Sequence, residues 1–236
     1  MEMNSSLLKS TARRAGILYL IWILSGLFAV YYVPSQINTR GDIATAAQNI
    51  LSNESLFRIS IINDLLSSAL WVFLVLVLYR LFKSVNDRQA RLLVAFVIAQ
   101  IPVVFTVGAF NITSLMILKG EILKTFEFSQ RQDLAMLFLR INDYGVLTLE
   151  MFWGLWLFPL AILVYQSRFL PRFLGIWLII DGFALVVLCF TSLLLPQFKD
   201  TVYKIAFPAM LGEVALMLWL LIKGAKVRSV NGVPMQ

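Results

Sequence analysis

Five carboxylates stand inside stretches of this chain that are otherwise apolar enough to cross a lipid bilayer: Asp64, Asp143, Glu150, Asp181 and Glu213. Placing a charged side chain at the bilayer centre costs at least ~2.5 kcal/mol, so each needs a partner, water or a proton. Two basic residues, Arg58 and Arg140, share those stretches and are the counter-charges at hand. Arg140 precedes Asp143 by three residues, a spacing that puts both on one helical face and permits an ion pair. Five acids against two bases leave three carboxylates uncompensated. Such groups hold a proton or a cation, or recognise a basic or polyhydroxyl ligand.

Spacing sharpens the pattern. Asp143 and Glu150 lie seven residues apart, two helical turns, and so share a face within the run from Asp133 to Ser167. Ser60, Asn63, Asp64, Ser67 and Ser68 recur at three- and four-residue intervals and make one polar stripe on an apolar helix. That stripe must face other helices, where hydroxyls and amides serve as interhelical contacts and an ionisable Asp64 reads as functional. The expected ligand- or ion-binding set is therefore Asp64, Asp143, Glu150, Glu213, Asp181, Arg58, Arg140 and Asn63. An outward-facing polar cavity lined by Asp64, Asp143, Glu150 and Glu213 is the arrangement these depths imply.

Six apolar runs carry these residues, at about 15–33, 56–82, 92–118, 134–165, 173–195 and 202–222. Each has the ~20 residues a helix needs to span ~30 Å of hydrocarbon. The first is too long for a signal-peptide core and no small-residue cleavage site follows Tyr31-Tyr32-Val33-Pro34, so it reads as a retained span. The fourth exceeds a bilayer's thickness, which places its first turns in the outer interface. Between the runs, Asp42 is placed to cap a short helix through Asn49. Segments 34–54 and 119–133 are long enough to fold over the bundle as lids, the latter either as an amphipathic piece or as a plain loop. Pro102, Pro159 and Pro208 are expected to kink a span or free a carbonyl, and Gly145, Gly154, Gly175, Gly182 and Gly212 to allow close backbone approach, the first four most simply as packing positions.

Charge sets the orientation. One side collects Lys9, Arg13, Arg14, Arg80, Lys83, Arg88, Arg91, Arg168, Arg172, Lys223, Lys226 and Arg228, with Glu2 and Asp87. The other holds Arg40, Lys119, Lys124, Arg131, Lys199 and Lys204 against six acidic residues. The positive-inside rule then puts both termini in the cytoplasm. It also accounts for the net charge of +7 without nucleic acid. With 60% hydrophobic and 14% charged residues and a mean hydropathy of +0.83, the chain is far from the ~25% charged content of soluble domains.

Absences narrow the chemistry. There is no histidine, which removes the commonest general base and the usual zinc and haem ligand. The one cysteine, Cys189, forms no internal disulfide. No nucleophile elbow, phosphate-binding glycine loop, H-E-x-x-H or C-x-x-C motif occurs. Neither a cofactor nor a metal site is expected.

Several motifs together resemble a known family. They are Arg13-Arg14-Ala15-Gly16 with Tyr19-Leu20, Glu54-Ser55-Leu56-Phe57-Arg58 followed by Asp64, Phe169-Leu170-Pro171-Arg172-Phe173-Leu174-Gly175, and Gly212-Glu213 leading into Leu218-Trp219-Leu220-Leu221-Ile222-Lys223-Gly224. The chain resembles, from about Thr11 to Ala225, the bacterial membrane proteins grouped as domain of unknown function 4386. The resemblance implies a six-helix inner-membrane protein and supplies no activity. Members often carry a histidine near the start of the fourth span, where this chain has Asn142-Asp143-Tyr144-Gly145, so no role tied to that histidine carries over.

The reading is an all-α polytopic membrane protein, one transmembrane domain over 1–236, with six spans, cytoplasmic termini and the lipid bilayer as its partner. Binding or movement of a small molecule, proton or cation is the expected function. A membrane-embedded enzyme acting on a lipid-type substrate, or a structural or sensory subunit, are the alternatives.

Overall fold

The structure, a computed structural model, describes residues 5–39 and 41–225. Glu2, Arg40, Lys226 and Arg228, which entered the charge count, lie outside the described residues. Helices dominate: α1 (Ser5–Leu27), α2 (Val33–Gln36), α3 (Ile43–Ser52), α4 (Glu54–Phe82), α5 (Asp87–Leu118), α6 (Phe128–Leu155), α7 (Leu157–Gln166), α8 (Arg172–Leu194) and α9 (Lys199–Ile222). Among the described residues six stretches are long and apolar enough to cross a membrane: Ser6–Gln36, Glu54–Phe82, Asp87–Leu118, Phe128–Gln166, Arg172–Leu194 and Pro196–Ile222. Their starts lie a few residues before the apolar runs, because polar first turns such as Asp87-Arg88-Gln89 are helical too.

Prolines explain the irregularities. Pro159 has no N–H for the Leu155 carbonyl and crowds it, and the helix breaks there, α6 ending at Leu155 and α7 beginning at Leu157. Pro34 similarly follows a π-helical turn at Phe28–Tyr32 that joins α1 to α2, with the Val33 amide donating to Phe28 O. Pro102 and Pro208 sit inside α5 and α9, which continue through them.

Which side chains are covered follows the apolar-outside logic of a membrane protein. On α8 the exposed face reads Phe173, Ile176, Ile180, Phe183, Val187, Phe190 and Leu194, alternating three- and four-residue steps. The opposite face buries Leu174, Leu178, Asp181, Leu185, Leu188 and Ser192. A soluble protein does not leave an unbroken apolar stripe of that length in water. This is a multi-pass membrane protein.

The chain forms two compact units, and α1, α4, α5 and α6 each contribute to both. The first comprises Met1–Leu20, Trp71–Ile98 and Glu150–Gln236. Its core centres on Trp156, whose ring lies 5.3 Å from that of Trp71 and 6.1 Å from that of Tyr19. Backbones meet here at glycine. A Cβ at Gly154 would fall 2.7 Å from Gly182 O, one at Gly175 2.8 Å from Ala161 O, and one at Gly16 2.5 Å from Leu221 N. Only the missing side chain lets those helices approach so closely.

The second unit comprises Ile21–Leu70 and Ala99–Leu149. Asp42 caps α3 by accepting from the Thr45 amide at 2.9 Å, and α3 buries Ala46, Ala47 and Ile50 in a cluster with Phe57, Ile61, Leu115, Leu118, Met136 and Leu139. Segment 34–54 is thus packed structure. Residues 119–127 form turns, with Gly120 and Leu123 at positive φ (69° and 55°), and Phe126 and Phe128 exposed. The plain-loop alternative holds there because glycine and a left-handed residue interrupt any helical repeat.

Candidate functional site

Three helices of the first unit converge on one polar cluster. Tyr19 of α1 is fully buried and donates its hydroxyl to Glu213 Oε1 of α9 at 2.5 Å. Asp181 of α8 is also fully buried, and neither of its carboxylate oxygens has a hydrogen-bond partner. Glu213 is the charged group acting on it, and the Glu213 amide, though directed at it, stops short of hydrogen-bond geometry.

Local sequence builds this arrangement. Gly16 lets α1 touch α9 at Leu221, and Tyr19, three residues along, then reaches Glu213. Gly212 performs the same service between α9 and α8: a Cβ there would lie 3.1 Å from Trp177 Cδ1 and 3.3 Å from Asp181 Oδ2. Trp177 fixes the contact by donating its indole N–H to Pro208 O at 3.2 Å. Asp181 lies nine residues from the start of α8 and Glu213 nine from the end of α9. Both are therefore ~14 Å along their helices, near the middle of a ~30 Å hydrocarbon layer. Among the described residues no ion pair reaches either carboxylate.

Glu150 belongs to the same unit but lies further along α6. It is half-buried, its Oε2 is without a hydrogen-bond partner, and the charge of Lys199 acts on it without forming an ion pair. Among the described residues no three histidine, cysteine or acidic side chains gather as a metal site.

Asp64, Asn63, Asp143, Arg58 and Arg140 fall in the second unit. Asn63 is locked to α1 by two bonds: Ser25 Oγ donates to its Oδ1 at 2.8 Å, and its Nδ2 donates to Ser25 O at 3.2 Å. The same Nδ2 lies 3.5 Å from Oδ1 of Asp64, which is half-buried. Ser60 and Ser68 donate to carbonyls of their own helix, Phe57 O and Asp64 O, so they are not interhelical contacts. Arg58 pairs with Glu54 at 2.8 Å, one turn back. Lys119 binds the same Glu54 oxygen at 2.9 Å, and Glu121 at 3.0 Å, which holds the Lys119 ammonium above its ordinary range. Arg140 and Asp143 both stand exposed on α6. Counting ~20 residues back from Gln166 leaves them outside the hydrocarbon span, where a charge is tolerated.

Sequence reasoning named Asp181 and Glu213 but not the phenol between α1 and α9. Tyr19 carries a readable signal, since a tyrosine amid an apolar span needs a partner for its hydroxyl. Its partner, 194 residues away, is what spacing does not reveal. Ser25 and Lys199 carry no such signal, whereas the close approach at Gly212 is one the sequence marks.

An all-α membrane protein with buried carboxylates on neighbouring helices is the class that fold and cluster define. The chain belongs to the family described as domain of unknown function (DUF4386), whose match covers residues 14–224. It is also similar to an uncharacterized protein of Archaeoglobus fulgidus, 32% identical over 100 residues. That match takes in 41% of this chain and 54% of the archaeal protein, so the chain spans about half the length of that relative. No solved structure matches.

Proposed function

We propose that this protein binds protons, or a monovalent cation in their place, at the Asp181–Glu213 pair, as a multi-pass protein of a prokaryotic cytoplasmic membrane. The observation that carries the reading is Asp181, whose two buried carboxylate oxygens have no hydrogen-bond partner and which packs at Gly212, the residue before Glu213, whose charge acts on it. Two negative charges side by side in a low-dielectric interior repel strongly, so the pair holds at most one, and a proton or cation replaces the other. Tyr19 already donates to Glu213, which makes Glu213 the better anion and leaves Asp181 to carry the exchangeable proton. A structural pair needs no ionisable groups at that depth, since apolar residues of similar volume would pack as well.

Charge placement supports an orientation with both termini cytoplasmic. Within the first unit Glu150, on which the charge of Lys199 acts, is proposed as a further acidic group, and within the second Asp64, held beside Asn63, as a separate one. The test is proton movement in proteoliposomes with a trapped pH dye under an imposed membrane potential. Wild type should acidify or alkalinise the lumen faster than empty vesicles, and Asp181→Asn should abolish the difference. A flux, or a flux-free baseline, that Asp181→Asn and Glu213→Gln both leave unchanged would remove transport from the account and leave binding to the spectroscopic test.

A further inference from the structure

A second site lies at the start of α1, apart from the carboxylates. Ser6, Lys9, Ser10, Arg13, Arg14 and Ile17 line an open hollow of about 410 Å³. Its size suits a small organic group, since ligand sites run to ~300–1,000 Å³. Among the described residues that line it, three are cationic, two are hydroxyl donors and none is acidic.

The cations are backed by structure. Gly224, at positive φ (64°) just past α9, lies so that a Cβ on it would sit 3.3 Å from Lys9 Cγ and 3.7 Å from Arg13 Cγ. The stems of Lys9 and Arg13 thus pack on the end of another helix, which lowers the entropy lost when they close on a ligand. The helix below them is apolar and uncovered. Ile17, Ile21 and Leu24 follow at helical spacing and are 48%, 48% and 54% exposed. The span that α1 begins has 11% of its apolar window buried, the lowest of the six.

We infer that this hollow is the headgroup site of an anionic phospholipid, with a phosphodiester held by Lys9, Arg13 and Arg14 and an acyl chain leaving along Ile17. Each part of the surface matches one part of that ligand: cations and hydroxyls the phosphate, the apolar stripe the chain. A free phosphate would leave the stripe unused. A second copy docked on this face by two-fold symmetry would bring three cations against three, a repulsive arrangement.

The test uses the full chain reconstituted in nanodiscs of phosphatidylcholine, with and without a fraction of phosphatidylglycerol, reading thermal melting and lipid retained on native mass spectra. Wild type should melt higher with phosphatidylglycerol and retain it preferentially. Each cation removed should weaken retention about fivefold, from ~1 kcal/mol per basic residue near a lipid surface. Arg14→Gln, a single exposed change, reads this without risk to the fold, and the triple Lys9→Gln/Arg13→Gln/Arg14→Gln variant should lose the preference. Arg88→Gln/Arg91→Gln, which removes two cations elsewhere, should keep it. Equal retention by wild type and Arg14→Gln, or equal loss in the Arg88/Arg91 variant, overturns the assignment, as does stabilisation by inorganic phosphate alone. A doubled mass with no lipid dependence would assign the face to a second copy instead.

Discussion

At Glu54, in the second unit, one carboxylate oxygen meets Arg58 at 2.8 Å and Lys119 at 2.9 Å, whereas at Asp181, in the first, two fully buried oxygens have no cation and no donor within hydrogen-bond geometry. The chemical group is the same and the environments are opposite. Glu54 is part-exposed, so its neutralisation contributes little and weakens further with salt. Asp181 sits where desolvation is severe and nothing in the described structure compensates it, a configuration that a fold retains at a cost. Where this chain needs a charge for architecture it supplies counter-charge from neighbouring turns. Where it omits the counter-charge, in a cluster whose helices are drawn together by Gly16 and Gly212, the acid is the one proposed to hold a proton or cation.

The comparison can be broken most forcefully at the glycines. Gly154→Leu would drive a side chain into Gly182 O, a backbone atom 2.7 Å from the new Cβ. A loss at or above the upper end of ~1–3 kcal/mol is expected, read as lowered melting in detergent or no folded protein. Normal melting would show that α6 and α8 separate at little cost.

Tyr19→Phe comes next. It takes the donor from Glu213 and should cost ~1–3 kcal/mol, and a double-mutant cycle with Glu213→Leu should recover most of that as coupling. Additive effects would mean that the 2.5 Å contact contributes nothing specific. Asn63→Leu, which removes both bonds to Ser25, is expected to cost ~1–2 kcal/mol by melting, while leaving proton binding at Asp181 intact. Loss of that binding would join the two units in one function.

The smallest effect is at the surface. The Lys119 ammonium is held above its ordinary range, first by its bond to Glu54, so its contribution is full at neutral pH and fades as pH rises through that elevated value. Asp42 runs the other way. Its carboxyl is held below the usual range by the Thr45 side chain and amide, so the cap is intact above ordinary carboxylate values and is lost as pH falls through the lowered one. Melting against pH should show both shallow limbs, with Lys119→Gln flattening the alkaline one.

Much of this was legible in the sequence. Length and hydropathy locate all six spans and Asp42 marks the start of α3, because each is a local rule acting over a few residues; of the three prolines expected to kink a span or free a carbonyl, Pro159 alone accompanies a break, and Pro102 and Pro208 are carried inside their helices. Charge burial singled out Asp181 and Glu213. Partners were harder. Helical spacing says which residues share a face, but not which faces meet, so Arg58 was available to any carboxylate and in fact serves Glu54. The serine stripe on α4 was read as contact between helices, yet Ser60 and Ser68 turn back to their own carbonyls, an option every serine in a helix has. The phenol on Glu213 depends on Gly16, which brings α1 against the distant α9, and no periodicity encodes that pairing.

The central claim is that Asp181 and Glu213 share an exchangeable proton or cation. Infrared difference spectroscopy of the full chain in lipid, titrated in pH, reads it directly through the C=O stretch of a protonated buried carboxyl. The account predicts such a band in wild type, lost in Asp181→Asn and shifted in Tyr19→Phe. A band absent at every pH and unaffected by sodium or potassium, or one that persists unchanged in Asp181→Asn and Glu213→Gln, would contradict it.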